Sequence, residues 1–341
     1  MRMSARIRAG VIGFGYWGPN LVRNIHGLQS ASVEAVADGD SVKRDKILRQ
    51  YPGTRVMEDG LTLIADPEID AVCIATPASS HYLLAKAALE AGKHVLIEKP
   101  MTRASEESRV LNAIAKQKNL VLMAGHTFVY SGAVRKIKEI IDAGELGDLY
   151  YYDSSRFNLG LLQKDMNALW DLAPHDLSIL QYILKEHPVS IQAFGERHVG
   201  KEHAELAFMV LRYPSGFCAH IRCSWISPLK IRRTLIAGSR KMVVYDDTEP
   251  SEKIRIYDKC VTIPQAAAEE ITPQNPIYRA GDVLIPVLDQ TEALKTEVSH
   301  FVDCIQHKKT PLTSGEVGEE VVRLLEAAQE SMVRGSVFIN L

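Results

Sequence analysis

The chain has 341 residues, beyond the about 250–300 at which a single hydrophobic core stops growing, so two domains are expected. Hydrophobic residues make up 46% and charged residues 24%, ordinary for a globular protein, and a net charge of −2 gives no electrostatic basis for a nucleic-acid partner. No apolar run reaches the about 18 residues of a membrane span, and the start, Met1-Arg2-Met3-Ser4, has no apolar signal core, so a cytoplasmic protein without a membrane partner is expected. The five cysteines are odd in number and form no Cys-x-x-Cys pair, which predicts reduced, buried thiols.

In chain order, the first 125 residues alternate strand and helix signals, the mark of a parallel α/β sheet. Arg6 to Ile12 reads as a strand, Gly18 to His26 as a helix, and Ser32 to Ala37 as a second strand ending at Asp38. Ala71-Val72-Cys73-Ile74-Ala75 is continuously apolar, as a strand buried on both faces must be. A helix is predicted over His81–Ala91 with Ser79 or Ser80 as N-cap, then a strand over His94–Ile97, a helix from Ala104 to Gln117 and a strand over Leu120–Ala124. These elements predict a Rossmann doubly wound domain over 1–125.

Past a helix over Ala133–Ala143 the pattern changes, and strand-like segments dominate from Leu149 to Leu288. Phe217 to Trp225 alternates apolar and polar positions, so one face is buried. Pro214-Ser215-Gly216 and Gly238-Ser239-Arg240 read as hairpin turns. Residues 263–282 lack periodicity and read as a long loop or arm. Two amphipathic helices close the chain, with Leu294, Val298, Phe301, Val302 and Ile305 on one face of the first and Val321, Leu324, Leu325 and Ala328 on one face of the second. The second domain, 126–341, is therefore expected to be α+β with a large, mainly antiparallel open sheet.

Three segments carry chemistry. The first is Gly13-Phe14-Gly15-Tyr16-Trp17-Gly18, directly between a strand and a helix. Gly13 permits the tight turn, Gly15 lets the backbone approach a pyrophosphate, and Gly18 lets helix and strand pack closely. The helix N-terminus offers unpaired N–H groups to the phosphates. Asp38, twenty residues after Gly18, is placed to accept hydrogen bonds from the adenosine ribose and to repel a 2′-phosphate, which favours NAD and leaves NADP open because Lys43 and Arg44 follow. Thr76, Pro77 and His81 sit at and beyond the end of the buried strand and are expected at the dinucleotide as well.

The second segment is Glu98-Lys99-Pro100, at the carboxyl end of a buried strand, where ligands bind in open α/β sheets. A cis Lys99–Pro100 peptide is predicted there, aiming Lys99 into the cleft. The third is Trp170-Asp171-Leu172-Ala173-Pro174-His175-Asp176, opening a helix toward Leu184. Asp171 and His175 are four apart and share a helix face, so the carboxylate sets the imidazole for general-base work. Arg156, Asn158, His126, Tyr130, Arg232 and Arg233 are further expected substrate contacts. No metal-ligand spacing stands out.

Together these segments resemble the Gfo/Idh/MocA oxidoreductase family over essentially the whole chain. The resemblance implies catalytic Lys99, Asp171 and His175, an NAD cofactor, and homodimers or homotetramers built through the second sheet. Gly15-Tyr16-Trp17-Gly18-Pro19-Asn20 and the 170–176 segment look most like bacterial members acting at C3 of nucleotide-activated sugars such as UDP-N-acetylglucosamine. That implies a role in sugar-nucleotide or surface-polysaccharide metabolism. Ala173-Pro174 replaces the Gly often found before the histidine in members acting on free sugars. A free-sugar or inositol dehydrogenase, a redox-neutral NAD-dependent glycosidase and a non-enzymatic dinucleotide-binding regulator are the alternatives.

Overall fold

The computed structural model describes residues 6–160, 162–163, 165–200, 202–262 and 275–341. Six short strands make the first sheet: β1 (Ile7–Ile12), β2 (Ala31–Ala37), β3 (Arg55–Met57), β4 (Ala71–Ile74), β5 (His94–Glu98) and β6 (Leu122–Gly125). All pair in parallel in the order β3-β2-β1-β4-β5-β6. The chain reverses direction across the sheet between β1 and β4, where a doubly wound sheet binds its ligand. All four β4 residues are buried, as the unbroken apolar run requires. The connecting helices are α1 (Gly18–His26), α2 (Ser41–Gln50), α3 (Gly60–Ala65), α4 (Ala78–Glu90) and α5 (Ser105–Lys118).

Two of these helices, and β3, are not marked by hydrophobic period. Side-chain caps mark them instead: Asp40 accepts from Val42 N at 2.9 Å and Asp59 from Thr62 N at 2.8 Å. The predicted cap of α4 is corrected. That helix starts at Ala78 after an extended Pro77, and the Ser80 hydroxyl donates to Thr76 Oγ1 and Pro77 O.

The second sheet has nine strands, and α6 (Gly132–Asp142) precedes them. They are β7 (Leu149–Leu159), β8 (Ser190–Glu196), β9 (Leu206–Arg212), β10 (Cys218–Ser224), β11 (Ile226–Gly238), β12 (Met242–Asp246), β13 (Ile254–Thr262), β14 (Ile277–Leu284) and β15 (Ile339–Asn340). The order is β14-β13-β12-β11-β7-β10-β9-β8-β15, antiparallel throughout except for β7 with β10. The alternation seen in the sequence holds: Phe217, Ala219, Ile221, Cys223 and Trp225 are all buried. Helix α7 (Ala168–Ile183) packs against β7, β9 and β10. The loop expected over 263–282 is corrected in part, because Ile277 onward forms β14; 263–274 lie outside the described residues.

The chain divides into two compact units, Met1–Ser131 with Thr291–Glu326, and Gly132–Gln290 with Ala327–Leu341. A single boundary at 125/126 therefore does not describe the units. The reason lies in α8 (Ala293–His307) and the start of α9 (Gly315–Val333), which return to the Rossmann sheet. Arg23 pairs with Glu292 at 2.7 Å, and Thr313 bonds Ala124 through both its carbonyl and its hydroxyl, covering the β6 edge. The five cysteines are free thiols, four of them buried and Cys218 half-buried.

Candidate active site

The first unit carries the glycine loop between β1 and α1. Gly13 has φ of +94°, and a side chain there meets Ala75 O at 2.6 Å. A Cβ on Gly18 falls 2.0 Å from Gly13 O, so only glycine lets α1 start this close to the strand. Gly15 is the opposite case: a Cβ there meets nothing within 4 Å. The backbone at Gly15 thus lies open to a ligand. Helix α1 begins with no side-chain cap and no acidic residue in its first turn; Pro19 has no N–H and Asn20 N donates to Trp17 O, so what this end offers an anion is chiefly its positive dipole end and the Gly18 N–H. These residues fit a dinucleotide pyrophosphate.

Asp38 follows β2. One carboxylate oxygen accepts from Phe14 N at 2.7 Å and the other from Asp40 N at 2.9 Å. Its charge is therefore fixed beside the loop, and each oxygen keeps capacity for a ribose hydroxyl. Lys43 approaches this carboxylate at 3.6 Å, while Arg44 donates to the carbonyls of Asp38 and Gly39. The Phe14 side chain is buried, Trp17 is half-buried, and Tyr16 is exposed and edge-on to Trp17.

The β4 and β5 ends lie in the same unit. Thr76 is half-buried and Pro77 exposed. The Lys99–Pro100 peptide is cis, as the sequence predicts. His81 is corrected: it is buried, with Nδ1 2.9 Å from Pro100 O and Nε2 2.9 Å from Thr76 O. Its ring braces the two loops against each other instead of presenting itself to a ligand.

Next to Lys99 lies a buried polar group of Glu98, His126 and Glu297, of which the sequence reading missed Glu297. Burial pushes the Glu98 carboxyl up to about 7, against the Lys99 charge. Glu297, from α8, is raised well above the carboxylate range by burial and by Glu98, and accepts from Thr127 Oγ1 at 2.7 Å. His126 is lowered to about 4 by burial and by Lys99. Tyr130 is corrected as a substrate contact: it is buried, and its hydroxyl bonds Thr313 Oγ1 at 3.0 Å; His126 is buried with neither ring nitrogen hydrogen-bonded among the described residues.

In the second unit, α7 starts at the Asn167 cap, whose side chain accepts from Trp170 N at 3.0 Å. Asp171 and His175 stand one turn apart, both half-buried, and Trp170 is half-buried in the same turn. Trp225 donates its indole N–H to Asp171 Oδ2 at 3.0 Å and so fixes that carboxylate. Arg156 is corrected. It is buried, and its Nε donates to Asp176 Oδ2 at 2.5 Å, so it serves α7 and not a ligand. Asn158, two residues on and on the same face of β7, is half-buried with an Oδ1 that has no partner among the described residues. Arg232 is occupied by Asp247 at 3.2 Å, and Arg233 is exposed. Trp225, Tyr152 and Asp176 were not singled out in the sequence. Asp176 directly after His175 and Trp225 at the end of the clearest strand are the signals that mark two of them.

Comparison with known proteins agrees with this reading of the fold. The model of the oxidoreductase family with an NAD-binding Rossmann fold matches residues 7–126, and the GFO/IDH/MocA C-terminal domain matches 134–244. The chain belongs to the Gfo/Idh/MocA family and is an NAD-binding oxidoreductase of the sugar and inositol type. Among particular relatives, it is 31% identical to the uncharacterized oxidoreductase YdgJ of Escherichia coli over 74% of each chain. It is 26% identical to the UDP-N-acetylglucosamine 3-dehydrogenase of Acidithiobacillus ferrooxidans over 98% of this chain and 99% of that one. The solved structure of that dehydrogenase superposes with a TM-score of 0.78, at 24% identity, over 96% of this chain and 98% of that one. The NAD-dependent scyllo-inositol 2-dehydrogenase of Bacillus subtilis is also 26% identical, over 92% of this chain and 90% of that one. Among the described residues, no helix is long and apolar enough to cross a membrane.

Proposed function

We propose that the protein oxidises a pyranose ring hydroxyl reversibly, at C3 of a nucleotide-activated sugar, with NAD as the hydride partner. The observation that carries this is the Asp171–His175 pair on one turn of α7, with Asp171 held by Trp225, in a chain that also places Lys99 at the end of a Rossmann strand. Bound nicotinamide supplies the hydride acceptor. His175 takes the hydroxyl proton, and Asp171 orients the ring and stabilises its charged form. Lys99 donates to the same oxygen and stabilises the negative charge that develops there. The glycine loop and the α1 N-terminus hold the pyrophosphate, and Asp38 the ribose. Asn158, half-buried on the same face of β7 as Arg156, is assigned to contact a sugar hydroxyl, its Oδ1 having no partner among the described residues.

The nucleotide-sugar reading is supported by the relative of nearly equal length that acts on UDP-N-acetylglucosamine. The inositol dehydrogenase relative supports a free-polyol substrate with the same chemistry. Absorbance of reduced nicotinamide separates them. With NAD⁺, the protein is expected to give signal with UDP-N-acetylglucosamine and none with inositols or free glucose. Signal with an inositol alone would refute the nucleotide-sugar assignment while keeping the chemistry.

A further inference from the structure

We propose that Tyr152, Arg156 and Asp176 form a buried positioning network that sets the catalytic geometry of His175, an inference that rests on the general-base role proposed above. Asp176 follows His175 directly on α7 and is fully buried. Its Oδ2 accepts from Arg156 Nε at 2.5 Å, and its Oδ1 accepts from Tyr152 Oη at 2.7 Å and from Arg156 Nη2 at 3.4 Å. Tyr152 and Arg156 both come from β7, four residues apart, on the face that α7 covers. One carboxylate on the helix is thus gripped by two side chains of one strand.

Apolar contacts alone fix the rotation and slide of a helix on a sheet poorly, because dispersion and burial have no direction. A forked, charge-assisted contact does have one. The helix has two directional anchors, the single Trp225 hydrogen bond on Asp171 and the forked β7 contact on Asp176, and His175 lies between them in sequence. A buried ion pair is poor evidence of stabilisation, since removing two charges from water offsets most of their attraction. Fixing one register is the role that this geometry performs. Tyr245 and Cys223 face the same group, and burial, with the Asp176 charge adding to it, pushes the Tyr152 hydroxyl and the Cys223 thiol far up.

The test separates positioning from stability. In the triple variant Tyr152→Phe, Arg156→Met, Asp176→Leu, the three members are replaced together, so that neither charge is left buried without the other. The expected result is a Tm close to the parent and unchanged NADH binding by fluorescence, with kcat lowered about 10²-fold, the scale of an ångström-level misplacement of a catalytic group. Parent-like kcat at parent-like Tm would overturn the network's positioning role. If the triple variant does not fold, Arg156→Lys decides: it keeps the charge and loses the fork, and a parent-like kcat there overturns the proposal. His175→Ala, measured alongside, tests the underlying reading separately: normal turnover in that variant removes the general base itself, whatever the network variants do.

Discussion

At the scale of single residues, the glycine loop holds two glycines for different reasons, and the difference is measurable. At Gly18 a methyl group collides with a backbone carbonyl of the protein itself, whereas at Gly15 it meets open space. Gly18→Ala is therefore expected to lower Tm and to weaken NAD binding together. Gly15→Ala is expected to leave Tm unchanged and to weaken NAD at least about tenfold, the cost of about 1.4 kcal/mol that obstructing one close approach readily reaches. Calorimetry of unfolding together with NADH fluorescence titration checks both. Equal Tm losses in the two variants would mean that Gly15 serves the fold and not the ligand. Asp38 belongs to the same argument, because its two oxygens are fixed by Phe14 N and Asp40 N before any ribose arrives.

At the scale of elements, the β5 end concentrates buried charge. Glu98 carries a folded pKa of about 7 against an ordinary value of 4.5. The folded form therefore keeps a proton that the unfolded chain loses. The group is neutral in both states below 4.5; stability falls as pH rises from there through about 7, then levels off. Glu98→Gln removes this loss. The Tm advantage of the variant over the parent is expected to be near zero at pH 4.5, to grow to pH 7 and to be constant above it. A difference that does not change with pH would contradict a buried, protonatable Glu98.

The elements also show what a sequence can and cannot display. The parallel sheet was legible because β4 is buried on both faces and reads as an unbroken apolar run, while β1 and β5 are mostly apolar, broken by Arg8 in the first and bounded by His94 and Glu98 in the second. Helices α2 and α3 were missed because they bury few residues, Ile47 alone in the first and Leu63 and Ile64 in the second. Only their aspartate caps mark them. The chemistry-bearing turns were legible where residue type and spacing coincide: the glycine loop, Lys99–Pro100 and Asp171–His175. Arg156, His81 and Tyr130 were misread for one shared reason. A polar side chain on a strand end or helix start carries no sequence mark of whether it faces a ligand or a buried partner. Here the partners, Asp176, Pro100 O and Thr313, lie 20, 19 and 183 residues away.

At the scale of the molecule, the C-terminal return of α8 and α9 explains why one cut in the chain does not separate two units. Residues 291–326 supply Glu292 to α1, Glu297 to the group next to Lys99 and Thr313 to the β6 edge. The catalytic proposal names Lys99, of the first unit, and Asp171 and His175, of the second. Its most direct test is turnover and NADH binding in Lys99→Ala and His175→Ala, using whichever sugar or polyol the parent oxidises. Each variant is expected to bind NADH like the parent and to lose at least about 10²-fold in kcat, the lower range of a general acid–base contribution. Parent-like kcat in both would contradict the account, because neither the lysine nor the histidine would then take part in the proton transfer.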